Sequence, residues 1–175
     1  DDFLPDPEAA LITGITPQFA KQHGICEADF LSQVNDTLSQ AGTCALGYNT
    51  LRFDDEFIRF GFYRNFIDAY EREYAGGNSR WDLLDVMRMM YAFHPTALNW
   101  PLREDSMPSF KLEHLAKANN AFEGSAHEAL SDVRSLINIA RLVKNASPDL
   151  WQHALSLRDK NNVSNKLAIH KNQRI

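Results

Sequence analysis

The chain has 175 residues, 44% of them hydrophobic, with 18 basic against 23 acidic side chains and a formal net charge of −5. That length supports a domain with a real core, and the composition excludes a disordered or collagen-like chain. No bulk positive charge advertises nucleic acid, although a site built from carboxylates would itself lower the total.

Residues 1–12 are proline-containing and read as extended. Thr16-Pro17 is an N-cap followed by proline at the first helical position, so a short helix follows, then a second over about 27–41. "TCALGY" (43–48) is the best strand candidate, apolar on both faces as in a sheet covered by helices. A buried strand needs neighbours, and few are on offer. "FDDEFIRFGFYRNF" (53–66) reads as a helix with acids in its first turn, and Phe53, Phe57, Phe60 and Phe66 are assigned to the core. Gly76-Gly77-Asn78 is a break. "RWDLLDV" (80–86) is a strand or a helix start that runs into a helix to about Phe93, with Trp81 in the core. Pro95 to Pro108 is loop, 109–120 is a short helix, and Pro148 starts another helix to about Lys160. His23, His114 and His170 read as structural or exposed. Cys26 and Cys44 form no C-x-x-C pair, which suits a reducing cytoplasm and argues against a disulfide scaffold or a structural zinc. No signal peptide or membrane-spanning run is present, so no membrane partner is expected. The first residues, Asp1-Asp2, and the polar end "NNVSNKLAIHKNQRI" both read as cut, as in a piece of a longer polypeptide.

"AHEALSDVRSLINIARLVK" (126–144) holds the chemistry. Ala129, Val133, Leu136, Ala140 and Val143 recur at helical spacing, and Asp132 falls among them, facing inward. Ser125 and Glu128 form a capping box that starts the helix at about Ala126. At roughly 100° per residue, His127 points about 140° away from Asp132, on the outer flank of the first turn. Either His127 is a surface histidine and Asp132 pairs with an arginine, or Asp132 is a metal ligand with a base nearby. Asp54 lies just past the carboxyl end of strand 43–48, where acids can line a crevice. Asp54 and Asp132 could share Mg²⁺, a hard cation that keeps water or phosphate as its other ligands. Two such ions about 3.5–4 Å apart hold the attacking and leaving oxygens of a phosphodiester. His127 could then deprotonate the attacking water.

"TGIT" (13–16), "GYNTLRFDDEF" (47–57), "NSRWDLLDVMR" (78–88), "PSFKLEHLAKAN" (108–119) and "AHEALSDV" (126–133) together resemble the bacterial exodeoxyribonuclease I family. That family is part of the DEDDh group of 3′→5′ exonucleases, with a ribonuclease-H-like α/β fold. The resemblance implies four acids and one histidine: Asp54 as the third acid, Asp132 as the fourth, His127 as the general base. The first two acids come as Asp-x-Glu on an N-terminal strand. Asp6-Pro7-Glu8 and Asp54-Asp55-Glu56 do not fit that pattern, so the pair is expected upstream of Asp1. Residues 1–145 then read as a partial, mostly helical exonuclease domain. Residues 146–175 read as a helix and linker toward a further domain. The resemblance also implies Thr13, Gly14 and Ile15 at the terminal nucleotide and Lys111 at substrate phosphate. Arg59, Arg88, Tyr70 and Tyr74 have the chemistry of a single-strand channel, in which cations follow phosphates and rings stack on bases. The implied activity removes 5′-mononucleotides from single-stranded DNA with two Mg²⁺ ions, or Mn²⁺. The implied partner is the single-stranded DNA-binding protein. An RNA-acting or proofreading relative, or a non-enzymatic binding module, remains open on residue chemistry.

Overall fold

Asp6 and Pro7 open a helix where an extended segment was expected. The computed structural model describes residues 4–124 and 129–167. In it α1 spans Pro7–Thr13, and the Asp6 side chain accepts the backbone N–H groups of Glu8 and Ala9. Aspartate at the N-cap with proline at the first turn is the same start signal as Thr16-Pro17, which opens α2 (Pro17–His23). Gly14, at φ 71°, ends α1 in the left-handed conformation.

The chain divides into two units, one running up to Thr43 together with Phe53–Asn78, the other Cys44–Arg52 together with the residues from Ser79 onward. In the first unit, α3 (Glu27–Leu38) and α4 (Asp54–Arg64) pack together, with Leu31 and Phe62 buried. The expected core role of four phenylalanines is corrected here: Phe53, Phe57, Phe60 and Phe66 are 57%, 65%, 64% and 99% exposed. A helix of this length buries one face, and in α4 Asp55 and Phe62 occupy it. Phe57 and Phe60 lie on the opposite side, in line with Phe53.

In the second unit, β1 (Cys44–Gly47) pairs in parallel with β2 (Ser79–Asp82), Cys44 opposite Ser79 and Gly47 opposite Asp82. β2 runs straight into α5 (Leu83–Phe93), so "RWDLLDV" is both strand and helix start. α6 (Leu112–Ala118), α7 (Ala129–Ala146) and α8 (Pro148–Ser156) follow, and α7 packs against α5, α6 and α8. Their core holds Trp81, Leu83, Met87, Met90, Leu115, Ile139 and Val143. The Trp81 indole donates to the Ala154 carbonyl at 3.2 Å and meets Trp151 edge-on at 4.7 Å. The helix expected to reach Lys160 stops at Ser156, and Asp159 caps a separate α9 (Lys160–Lys166).

The burial of α7 also differs from expectation. Leu136, Ala140 and Val143 are buried as expected, joined by Ser131, Ser135 and Ile139. Ala129, Asp132 and Val133 are exposed, so the Asp132 carboxylate stands in solvent and needs no buried counter-charge. The buried arc is turned toward Ser131 and Ser135, and no described residue covers the first turn of α7 on its Val133 side.

Candidate active site

The segment between β1 and α4 is tightly specified. Asn49 takes a left-handed φ of 62°, and Thr50–Arg52 form a 3-10 turn that folds back over β1. A Cβ on Gly47 would lie 1.9 Å from Thr50 Cγ2, so glycine is required there. The Tyr48 hydroxyl donates to the Phe110 carbonyl at 2.5 Å, and burial raises its pKa above the ordinary tyrosine value. The buried Asp82 carboxylate gathers the turn. Its Oδ1 accepts from Asn49 N at 2.8 Å and Leu84 N at 3.0 Å, and its Oδ2 accepts from Leu51 N at 3.2 Å. Asp85 holds Arg52 Nη2 at 3.0 Å and Arg88 Nη1 at 2.9 Å. Arg88, expected in a substrate channel, therefore shares a carboxylate with Arg52 and keeps half of its side chain in solvent.

The three acids that open α4 differ in environment. Asp55 is buried, 2.8 Å from Arg72 Nη2. Glu56 pairs with Arg59. Asp54 is exposed and has no hydrogen-bond or ion-pair partner among the described residues. Arg59 is also bidentate to Glu73, at 2.8 and 3.1 Å, and this hydrogen bonding raises its pKa further. Its guanidinium lies 5.0 Å from the centre of the Tyr70 ring. Tyr70 and Tyr74 are exposed. Thr13, Gly14 and Ile15 form the link between α1 and α2, with the Thr13 hydroxyl accepting from Ile15 N at 3.2 Å. Lys111 sits exposed at the N-cap of α6, with no side-chain partner among the described residues.

Asp132 is likewise exposed and without a partner among the described residues. His127 and the Ser125–Glu128 capping box lie outside the described residues. Among the described residues no group of three or more His, Cys, Asp or Glu side chains could hold a metal ion. Asp54 and Asp132 lie in different units, and each is an exposed oxygen donor not committed to a protein cation, the kind of group that a hard divalent cation takes.

The family model described as Exonuclease, of the RNase T type, matches residues 1–140. The chain belongs to the exonuclease family. It is 49% identical over 163 residues to exodeoxyribonuclease I of Escherichia coli strain K12, covering 93% of this chain and 34% of that relative. Among solved structures it is similar to E. coli exonuclease I in complex with a dA16 oligonucleotide. The TM-score is 0.85 at 49% identity, over 93% of this chain and 34% of that one. It is equally similar to an exonuclease I/SSB-Ct complex, with a TM-score of 0.84, 49% identity, and coverage of 93% and 35%. The chain thus spans about a third of the length of the relatives it matches. The fold is the ribonuclease-H-like exonuclease fold, helix-rich here with a small sheet.

Within this exonuclease domain, the turn-holding role of Asp82 and Asp85 was not read from sequence. A local signal did exist: aspartate directly before the apolar run "LLDVM" is an N-cap pattern. Its second task, reaching back more than thirty residues to Asn49 and Leu51, left no local mark.

Proposed function

We propose that this exonuclease domain serves a cytoplasmic enzyme of DNA repair or recombination. That enzyme degrades single-stranded DNA from the 3′ end to 5′-mononucleotides by Mg²⁺-dependent hydrolysis. The observation that carries this reading is the selective freedom of Asp54: of three consecutive acids it alone is exposed and has no partner among the described residues. An unpaired carboxylate at the first turn of a helix suits a metal ligand. Asp54 and Asp132 are each assigned as ligands, with Mn²⁺ an acceptable substitute for Mg²⁺. These carboxylates would hold divalent ions whose Lewis acidity would act at the scissile phosphate. His127 takes the proton of the attacking water. Arg88 and Lys111 meet the phosphates, while Arg59 has to exchange Glu56 or Glu73 for phosphate to do so. Tyr70 and Tyr74 stack on bases, and Thr13, Gly14 and Ile15 contact the terminal nucleotide. The solved relatives bound to a dA16 oligonucleotide and to SSB-Ct support single-stranded DNA and the single-stranded DNA-binding protein as partners.

Matched DNA and RNA strands, labelled at one end and incubated with the full-length exonuclease and Mg²⁺, with and without chelator, test the proposal. Chelator-sensitive shortening of the DNA strand from its 3′ end is expected. Preference for RNA would place the enzyme in another branch of the DEDDh group. Loss of neither strand would favour a binding module.

A further inference from the structure

Arg52 and Arg88 meet on one carboxylate at the carboxyl end of the parallel strand pair, all within the second unit. β1 leads into the turn that ends at Arg52, and β2 leads directly into α5, which carries Asp85 and Arg88. The carboxyl ends of parallel strands are where open α/β sheets bind their ligands. Asp85 takes Arg52 Nη2 at 3.0 Å and Arg88 Nη1 at 2.9 Å, so two positive charges share one negative. Both arginine side chains remain about half exposed, at 54% and 52%.

Exposed ion pairs of this kind add little stability. What this one does is hold two guanidinium groups in place. Arg59 shows the contrast, because Glu56 and Glu73 occupy its Nε, Nη1 and Nη2. Arg52 commits Nη2 and Arg88 commits Nη1, and their remaining donors have no partner among the described residues. A guanidinium with a free edge takes phosphate through two parallel hydrogen bonds. Arg52 is also fixed from its backbone side. Asp82 holds the N–H groups of Asn49 and Leu51, and Asn49 is left-handed, so little freedom is left to lose on binding. We propose that Arg52 is a further phosphate ligand for single-stranded DNA, held beside Arg88 by Asp85 so that the two guanidinium groups take the backbone together. This rests on the reading of the chain as a single-strand exonuclease domain with Arg88 on phosphate. A phosphate contact positions the strand and is independent of base sequence.

The test is the salt dependence of binding. Fluorescein-labelled dT and dA strands are titrated with the full-length exonuclease, with chelator present to prevent cleavage, and anisotropy is read at several salt concentrations. On a single strand each phosphate contact contributes about 0.7 to the slope of log affinity against log salt. Arg52→Gln should reduce that slope by about 0.7 and lower affinity about 5-fold at about 0.1 M salt, on dT and dA alike. Arg103→Gln is the control: it removes an arginine that is equally exposed and paired with Asp105, and it should leave the slope unchanged. A parental slope in folded Arg52→Gln would overturn the proposal, and so would an equal drop in Arg103→Gln, which would reduce the effect to general charge. If Arg52→Gln does not fold, Arg52→Lys decides. It keeps the charge and loses the fork, so a parental slope with weaker binding is expected, and parental affinity would overturn the proposal. A parent enzyme without salt-dependent binding of either strand would remove the reading of the domain itself, a failure distinct from that of Arg52.

Discussion

Asp54 and Asp55 are adjacent in the chain, yet Asp55 is buried 2.8 Å from Arg72 Nη2 and Asp54 stands exposed with no partner among the described residues. One helical step, about 100°, carries one carboxylate into the interior and leaves the other available. The two aspartates should respond oppositely to substitution. Asp54→Asn should abolish cleavage and leave stability near that of the parent. Asp55→Asn and Arg72→Met should each cost about 1–3 kcal/mol, because each removes a buried charge-assisted hydrogen bond. The double substitution Asp55→Leu with Arg72→Met should cost less than the sum of the singles. Urea unfolding beside nuclease rates checks this, and an inactive but fully stable Asp55→Asn protein would reverse the assignment.

The exposed row on α4 gives a second contrast. Phe57→Ser and Phe60→Ser should change stability by no more than about 0.5 kcal/mol, since both rings already stand in solvent. Phe62→Ala should cost about 3–5 kcal/mol, since Phe62 is fully buried. Thermal melts of the three variants are sufficient, and equal losses would show that the row is covered in the folded protein.

Glu27 offers a test by pH. The Arg64 guanidinium, donating from Nε and Nη2 at 2.5 Å each, and the Asn65 amide at 2.7 Å hold its carboxyl at about 2, against an ordinary value of 4.5. The folded-state pKa is depressed, so the stabilisation is present above about 4.5 and is lost as pH falls toward about 2. Carboxyl ¹³C titration should place the Glu27 midpoint near 2, and Arg64→Gln should return it toward 4.5. A midpoint near 4.5 in the parent protein would show that the pair does not form in solution.

What the sequence could reveal divides by range. Local chemistry was readable: Thr16-Pro17 starts a helix, Trp81 is core, and the acids of "FDDE" open α4. Asp6-Pro7 carried the same start signal and was passed over because Pro5 and Pro7 suggested extension. Which face of an aromatic-rich helix turns inward depends on its neighbours, so Phe57 and Phe60 could not be separated from Phe62 by periodicity alone. Asp132 shows the same limit, because spacing assigns a helical face and not the packing that covers it. The bonds from Asp82 to Asn49 and Leu51 join residues more than thirty positions apart, and nothing in either segment announces them.

Residues 1–175 by themselves should show little or no nuclease activity. They carry Asp54 and Asp132, two of the four acids that the family resemblance implies, and two carboxylates do not hold two ions for in-line displacement. Purified and incubated with 3′-labelled single-stranded DNA and Mg²⁺, this piece should leave the label on the strand. Robust, chelator-sensitive release would mean that the metal ligands have been assigned wrongly.

The most direct measurement compares the full-length exonuclease with its His127→Ala and Asp132→Asn forms on 3′-labelled single-stranded DNA, following mononucleotide release against Mg²⁺ concentration. The parent should release labelled 5′-mononucleotide and stop on addition of chelator. His127→Ala should lower kcat by about 10²–10⁴ with DNA binding retained, as loss of a general base does. Asp132→Asn should abolish release and weaken Mg²⁺ binding. A near-normal kcat in His127→Ala, or an active Asp132→Asn enzyme at ordinary Mg²⁺, would contradict the account.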